Sequence, residues 1–303
     1  MRKDILCHIF ALFCVFVWGT TFISTKILLD SFHPVVILLY RIFICVVLLF
    51  IIHPKIFKTN SFKYELLFMG AGASGITFYF LFENLALSYT NAADVGIIVS
   101  LAPFFTLIFC TLILKSDKIT LWFMLGFVVA MAGIIIISIN GSGNLKMNPL
   151  GYFLALLAMV MWGIYSVFVK KIGDLGYKGI GVTRKIMYYG LIFLIPFFFI
   201  FRCNFNFELL GNVKNLFNIL YLGVIASTVC FVLWNYSLRK IGAVKTSLYI
   251  YLSPAITTLA SFIFLDEVIN FFTIVGMVLA ILGLVISSVR TKNNINLEEK
   301  EIE

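Results

Sequence analysis

The sequence predicts an all-α polytopic membrane protein with ten transmembrane helices. They are arranged as two inverted five-helix repeats, and both termini are cytoplasmic. Three observations support this prediction. The composition is strongly apolar, the apolar residues fall into ten runs of membrane-spanning length, and the second half of the chain repeats features of the first.

The composition excludes a water-soluble domain. Hydrophobic residues make up 62% of the chain and charged residues 12%, with a mean hydropathy of +1.06. Soluble domains carry about 25% charged and about 45–50% apolar residues. A chain with so little charge cannot cover its surface against water, so we expect a multi-pass protein of the inner or plasma membrane, surrounded by lipid.

Ten apolar runs are long enough to cross a membrane. A helix needs about 20 mostly apolar residues to span a hydrocarbon layer of about 30 Å. The connections between the runs are short, which leaves no room for a soluble domain. The predicted spans are 5–29, 33–52, 64–88, 93–114, 120–139, 149–169, 181–201, 215–238, 244–265 and 270–289.

The basic residues set the orientation of these spans. With the N-terminus in the cytoplasm, the outer loops contain only Lys146, Arg202 and Lys214, and Lys26 and Arg41 lie in or near spans. The other eighteen of the 23 Lys and Arg fall in cytoplasmic segments. Cytoplasmic loops are enriched in Lys and Arg, so this placement explains the net charge of +9 without a nucleic-acid partner.

The chain contains an internal repeat. Trp-Gly followed by Lys seven positions after the Gly occurs at 18–26 and again at 162–170. Residues 80–103 match 231–254 at an offset of 151, with Asn and Pro at equivalent positions. The Gly-rich segment GFVVAMAG, 126–133, matches GMVLAILG, 276–283, at an offset of 150.

The number of spans in each repeat predicts that the second copy is inverted. The repeats are 1–145 and 146–290, each with five spans, followed by a polar tail, 291–303, that we expect to be disordered. Because five is odd, the second repeat must cross the membrane in the opposite direction. Inverted repeats recur in secondary transporters, which bind substrate near the midplane between the halves. The two Trp-Gly pairs should then meet near the central axis.

At these residues the chain resembles the EamA-type branch of the drug/metabolite transporter superfamily. The resemblance rests on the Trp-Gly pairs, on the Asn and Pro of the matched windows, and on the Gly-rich fifth and tenth spans. It also includes the acidic stretch FLDEVI at 264–269, whose Glu has no counterpart in the first half. The resemblance covers nearly the whole chain and implies transport of small metabolites, often amino acids, with no enzyme activity.

Charged side chains within spans are candidates for gating or coupling, because each costs about 2.5–3.5 kcal/mol to insert. We predict that Arg41, together with Lys26, pairs with Glu83 in an outer vestibule or gate. A structural ion pair between spans two and three, and snorkelling of Lys26 to headgroups, are the alternatives. Glu83 is also a candidate for proton coupling, although Trp234 occupies its matching position. Asp94 fits a helix N-cap.

The candidate cavity residues are amphipathic aromatics and features paired between the halves. Asn84 and Asn235 could contact substrate or hydrogen-bond across helices. The two prolines should bend spans four and nine, which we expect to line the cavity. The predicted substrate-binding or cavity residues are Trp18, Asn84, Ser100, Pro103, Trp162, Tyr165, Tyr188, Trp234, Asn235, Tyr251 and Pro254.

The sequence predicts a secondary transporter that moves a small organic metabolite, an amino acid or similar, as an exporter by alternating access. A drug or nucleoside exporter is an open alternative, and a lipid flippase is a third. No nucleotide-binding loop, HExxH or GxSxG motif occurs, and no catalytic residue, cofactor or metal is expected. The sequence leaves open whether the protein is a monomer or a homodimer.

Epitope tags test the inverted topology. Tags inserted beside Lys146 and Lys171 should lie on opposite sides of the membrane, because the two positions flank a single predicted span. Protease or impermeant-reagent access to each tag in intact cells measures this. Finding both tags on one side would overturn the topology.

Overall fold

The structure consists of helices throughout its described part. The computed structural model describes residues 2–55, 57–115, 120–140, 149–283 and 285–286, and the side chains in these ranges except at 2–4 and 137–140. No β-strand occurs in these ranges. The main helices there are α1 Arg2–Leu29, α2 Pro34–Ile52, α3 Phe62–Tyr89, α4 Ala92–Leu114, α5 Leu121–Asn140, α6 Pro149–Asp174, α7 Ile180–Ile200, α8 Val213–Ile241, α9 Ala243–Leu265 and α10 Phe271–Gly283.

The described residues of all ten predicted spans are helical, and the bounds agree to within a few residues except at the end of the tenth span, which lies outside the described residues. Eight of them, all except α5 and α10, are long and apolar enough to cross a membrane. Over the residues with described side chains, the other two are shorter apolar helices, Leu121–Ile136 and Phe271–Gly283. A polytopic all-α protein is thereby confirmed, and the count of ten spans stays a prediction. The predicted repeat boundary at 145–146 and the tail 291–303 lie outside the described residues.

Local sequence signals explain several helix ends. The Ser61 hydroxyl accepts a hydrogen bond from the Lys63 amide at 3.3 Å and caps the N-terminus of α3. Pro34 begins α2, where its fixed φ suits a first turn. Gly242, with φ of +92°, separates α8 from α9 by a conformation that side-chain-bearing residues rarely adopt.

Helices α4 and α9 are both interrupted at the predicted bends. The first segment of α4 ends at Val99, and a new segment starts at Ala102 with Pro103 in its first turn. In α9 a 3₁₀ turn is followed by a segment that starts at Ser253, with Pro254 in its first turn. Proline lacks an amide hydrogen and clashes with the preceding turn, so the α-helical ladder cannot run through these positions.

Glycine contacts bring α1 and α6 onto these interrupted helices. A Cβ on Gly19 of α1 would lie 2.6 Å from Ile256 of α9, and one on Gly163 of α6 would lie 2.8 Å from the Phe105 backbone of α4. Ile256 and Phe105 are 151 residues apart, so the same contact is made twice. Small residues allow such close helix packing in membranes.

The Gly-rich helices α5 and α10 pack against each other in antiparallel fashion. A Cβ on Gly133 would lie 2.6 Å from the Gly276 carbonyl oxygen. Reciprocally, a Cβ on Gly283 would clash with the Gly126 carbonyl oxygen. The late glycine of each helix therefore contacts the early glycine of the other, which is the pattern that a two-fold relation produces.

The glycines of GAGASG in α3 also serve helix packing, as the sequence predicts. Gly72 contacts the Gly190 backbone of α7, and Gly75 lies against the Tyr165 ring of α6. The helix widens here into a π-helical stretch, Ala73–Phe78, and α8 does the same at Tyr221–Val229. Such bulges are frequent at functional sites, and these two flank the cavity described next.

Candidate functional site

A small cavity lies between helices of both halves. The helices α1, α2, α3 and α4 contribute to its wall from the first half, and α6, α8 and α9 from the second. The helix breaks contribute matched positions, since Val99 and Ala102 of α4 correspond at an offset of 151 to Ile250 and Ser253 of α9. The lining residues are Val15, Trp18, Thr21, Phe22, Arg41, Tyr79, Phe80, Glu83, Val99, Ala102, Met159, Trp162, Phe231, Ile250 and Ser253.

Aromatic rings from both halves form one side of this cavity. The Trp18 and Trp162 rings meet edge to face with centroids 5.5 Å apart, which confirms that the two Trp-Gly pairs come together. Phe231 lies 5.4 Å from Trp18, and Tyr79 lies 5.0 Å from Trp162. Phe80 and Phe231, which occupy equivalent positions in the two halves, are 5.8 Å apart. The wall is therefore built around related residues that face one another.

Two opposite charges lie on the same wall. Arg41 and Glu83 are both almost fully buried, at 1% and 2% exposure. The Tyr79 hydroxyl, one helical turn earlier in α3, lies close enough to the Glu83 carboxylate to interact with it. Each charge acts electrostatically on the other. An apolar cavity that contains one cation and one anion offers complementary charges to a polar or zwitterionic solute.

The predicted direct Arg41–Glu83 ion pair is not formed. Among the described residues, no nitrogen–oxygen contact within 4.0 Å joins these two side chains. Arg41 Nε instead donates a hydrogen bond to Ser227 Oγ of α8 at 2.6 Å, and its guanidinium lies 3.9 Å from the Phe80 ring centroid. Ser227 and the Phe80 ring hold the guanidinium, so the link runs between α2 and α8 across the halves.

The cavity is nearly closed in this conformation. Its volume is about 30 Å³, which is room for about two water molecules and none for an amino acid. An amino acid therefore needs a wider cavity than this conformation provides.

Further predicted residues form a layer behind the wall. Tyr165 is fully buried beside Trp162 and donates a hydrogen bond to Asn235 Oδ1 at 2.6 Å. Asn235 Nδ2 donates to Thr183 Oγ1 at 3.2 Å. Trp234 packs 4.9 Å from Trp18. These residues orient the aromatic wall from the second half.

Asn84 links helices, which is the alternative left open by the sequence. Its Nδ2 donates to the Pro34 carbonyl of α2 at 3.2 Å, as Asn235 of α8 donates to Thr183 of α7. The two asparagines thus make corresponding interhelical bonds in the two halves.

Several other predicted residues do not line the cavity. The Tyr188 side chain is 44% exposed, because it lies on the outer face of α7, and its placement in the cavity is wrong. Ser100, Pro103 and Pro254 lie at the helix breaks, beside lining residues. Tyr251, in the 3₁₀ turn of α9, is half-buried against the core outside the lining set.

Lys26 makes a different contact from the one predicted. Its ammonium donates to the carbonyl oxygens of Leu87 and Thr90 at 2.6 and 2.7 Å, at the C-terminus of α3. A cation is stabilised there because the last carbonyls of a helix are unsatisfied and carry partial negative charge. Lys26 also lines an open vestibule of about 530 Å³ with Asp30 and His33, at what we call the Lys26 end of the bundle.

Glu267, which the sequence did not single out as a site residue, caps a helix at the same end. Its carboxylate oxygens accept hydrogen bonds from the Ala92 and Ala93 amides at 2.9 and 3.1 Å. It therefore joins the end of α9 to the N-terminus of α4. Asp94, predicted as the N-cap, instead lies in the first turn of α4, whose N-cap is Asn91, and accepts a hydrogen bond from the Tyr152 hydroxyl of α6 at 2.7 Å.

We call these three residues, Lys26, Glu267 and Asp94, the Lys26-end cluster. Their contacts join α1, α3, α4, α6 and α9. The FLDEVI stretch was the sequence signal for Glu267, but its partner, a helix N-terminus, carries no side-chain signature. Phe80 and Phe231 were also missed on the wall, although both begin the matched windows.

Fold and site together define a class of protein. Apolar helices of membrane-spanning length surround a nearly closed cavity with a buried cation and anion, and both halves of the chain build its wall. This arrangement is that of a multi-pass membrane transporter.

Comparisons with known proteins identify the family. The sequence profile described as the EamA-like transporter family matches residues 5–139 and again residues 149–289. The chain belongs to this family.

Similar proteins carry transporter names. An uncharacterized transporter of Archaeoglobus fulgidus is 25% identical over 93% of this chain and 97% of its own. A probable terminal-alkyne amino-acid exporter of Streptantibioticus cattleyicolor is 24% identical over 91% of each chain. A solved crystal structure matches with a TM-score of 0.68 at 15% identity, over 93% of this chain and 97% of that one, and shows the same fold.

Replacing Glu267 tests its capping role. Glu267→Gln should lower the free energy of unfolding by about 1 kcal/mol, because the α4 N-terminus loses a charged acceptor. Thermal unfolding in detergent, followed by tryptophan fluorescence, measures the change. Asp266→Asn is the matched control, since Asp266 is exposed and has φ of +52°, a conformation that Asn tolerates. Equal destabilisation by both variants would contradict the assignment.

Proposed function

We propose that the protein is a secondary transporter that exports a small organic metabolite, an amino acid or similar, across the inner membrane. The observation that carries the proposal is the nearly closed cavity with one buried cation, one buried anion and an aromatic wall. The name of the amino-acid exporter of Streptantibioticus cattleyicolor supports the substrate class. The aromatic wall also suits a drug or nucleoside, which is the alternative outcome of the test below.

The two halves work as inverted repeats, 1–145 and 146–290, in this proposal. The antiparallel α5–α10 contact and the repeated Gly19 and Gly163 contacts support this relation. The two matches to one family profile, at 5–139 and 149–289, support it as well. Both termini are then cytoplasmic, and the Lys26 end faces outward.

Transport then proceeds by alternating access. The Lys26-end cluster closes the outer side and must separate when the cavity opens outward. At the opposite end, Lys185 of α7 pairs with Glu65 of α3 at 2.7 Å, and Arg184 donates to the His53 and Lys55 carbonyls beyond α2. These contacts close the inner side. The two sets of contacts lie at opposite ends of the bundle. If one set breaks while the other stays intact, the solute can cross the membrane without a continuous channel being formed.

A resistance screen followed by counterflow tests the function. Cells that overproduce the protein should tolerate higher concentrations of toxic amino-acid analogues. Proteoliposomes loaded with an unlabelled apolar amino acid, such as L-phenylalanine, should then accumulate the labelled form faster than empty ones. Trp162→Ala should reduce this rate about tenfold or more, because it removes the centre of the aromatic wall. If resistance and counterflow are found only with drugs or nucleosides, the protein is a drug or nucleoside exporter and the amino-acid assignment is wrong.

The same proteoliposomes test whether Glu83 couples transport to protons. A buried carboxyl can bind and release a proton during a transport cycle. If it does, Glu83→Gln should abolish the effect of a pH gradient on the rate and leave gradient-free counterflow measurable. Asp266→Asn, which removes an exposed carboxylate, should keep the effect. An unchanged gradient dependence in Glu83→Gln would remove Glu83 from coupling.

A further inference from the structure

The buried guanidinium of Arg41 is incompletely bonded. Ser227 accepts a hydrogen bond from Nε, and the Phe80 ring lies against the guanidinium. Nη1 is buried and has no hydrogen-bond partner among the residues that the structure describes. An unpaired buried donor is costly, and more so when it is charged. Because Arg41 lines the cavity, this donor is available to a ligand there.

A second orphan donor lies on the same wall. The Trp162 indole Nε1 is buried and also lacks a partner among the described residues. The Trp18 indole, by contrast, donates to the Ala226 carbonyl at 3.0 Å. Two residues that line the cavity, Arg41 and Trp162, therefore each carry a buried donor without a partner among the described residues. Both require an acceptor, and an arginine guanidinium matches a carboxylate in shape and charge.

Glu83 supplies the complementary group. Its carboxylate is buried in the lining of the same cavity, near the Tyr79 hydroxyl. A solute that carried only a carboxylate would compensate Arg41 and leave Glu83 facing a second negative charge. A zwitterion compensates both wall charges, which matters because an unpaired buried charge is strongly unfavourable. The aromatic rings then cover the apolar part of the solute.

We propose that Arg41 and Trp162 bind the carboxylate of an α-amino acid with an apolar or aromatic side chain, and that Glu83 binds its ammonium group. This assignment rests on the proposed transport function and adds the groups that select the substrate. Both charged residues of the lining, Arg41 and Glu83, come from the first half. In the second half, Trp234 occupies the position equivalent to Glu83. The substrate is thus held in one orientation, although the two halves are related.

Four small molecules that differ in one group test this assignment. They are L-phenylalanine, its amide, phenethylamine and 3-phenylpropionate, and binding is measured as thermal stabilisation and tryptophan fluorescence change of the purified protein. L-phenylalanine should bind about 10–100-fold more tightly than the amide or phenethylamine, because these lack the carboxylate. 3-Phenylpropionate, which lacks the ammonium, should also bind more weakly.

Variants of Arg41 test whether this residue causes the preference for a carboxylate. Arg41→Gln should bind L-phenylalanine no better than its amide, and Arg41→Lys should recover part of the preference. Lys214→Gln is the charge-matched control, because Lys214 is exposed at the start of α8. If Arg41→Gln fails to fold, Ser227→Ala gives the same information. It keeps the charge, removes only the hydrogen bond that positions the guanidinium, and should weaken carboxylate selection several-fold.

The outcomes separate this inference from the proposed function. If wild-type protein binds the amide and phenethylamine as well as L-phenylalanine, or if Arg41→Gln keeps the preference, the assignment of Arg41 is overturned. Counterflow of L-phenylalanine in that case still supports amino-acid transport. If neither L-phenylalanine nor L-leucine binds or undergoes counterflow, the amino-acid function fails and this inference fails with it.

Discussion

The structure depends on the close approach of α1 to α9 and of α6 to α4. At Gly19 and Gly163 there is no space for a β-carbon, because the Ile256 side chain lies against Gly19 and the Phe105 backbone lies against Gly163. Each glycine follows a tryptophan, and the approach therefore fixes where both indole rings lie. The contacts are made beside the proline breaks, whose residues Val99, Ala102, Ile250 and Ser253 also line the cavity.

The charges of the cavity do not follow the two-fold relation of the helices that surround it. The contacts that build the cavity come in related pairs, whereas its charges come from the first half alone. Burial of Arg41 and Glu83 carries a desolvation penalty that a purely structural role could avoid, since apolar replacements for buried ion pairs are often neutral or stabilising. Lys26 and Glu267 act differently. They satisfy the exposed backbone groups of helix ends, so they stabilise contacts between helices and do not line the cavity.

The sequence was sufficient for the helices, the helix breaks and the meeting of Trp18 with Trp162, because hydropathy, proline and an internal repeat are properties of the chain itself. It could not place Tyr188, since the face that a residue occupies on an apolar helix depends on neighbouring helices and on lipid. It paired Arg41 with Glu83, the carboxylate inside the neighbouring span, whereas in the structure Arg41 bonds to Ser227, 186 residues away. Lys26 and Glu267 bind backbone groups, and such partners cannot be predicted from residue types, because every residue has a backbone.

Cysteine accessibility tests alternating access at the cavity most directly. Val99 lines the cavity and is buried, and the six native cysteines, all buried, would first be replaced. In vesicles of defined orientation, a membrane-impermeant thiol reagent should label Val99→Cys from the outside and, in inverted vesicles, from the inside. Saturating substrate should change the ratio of the two rates. Labelling from one side only, or from neither, would contradict a cavity that opens alternately to both sides.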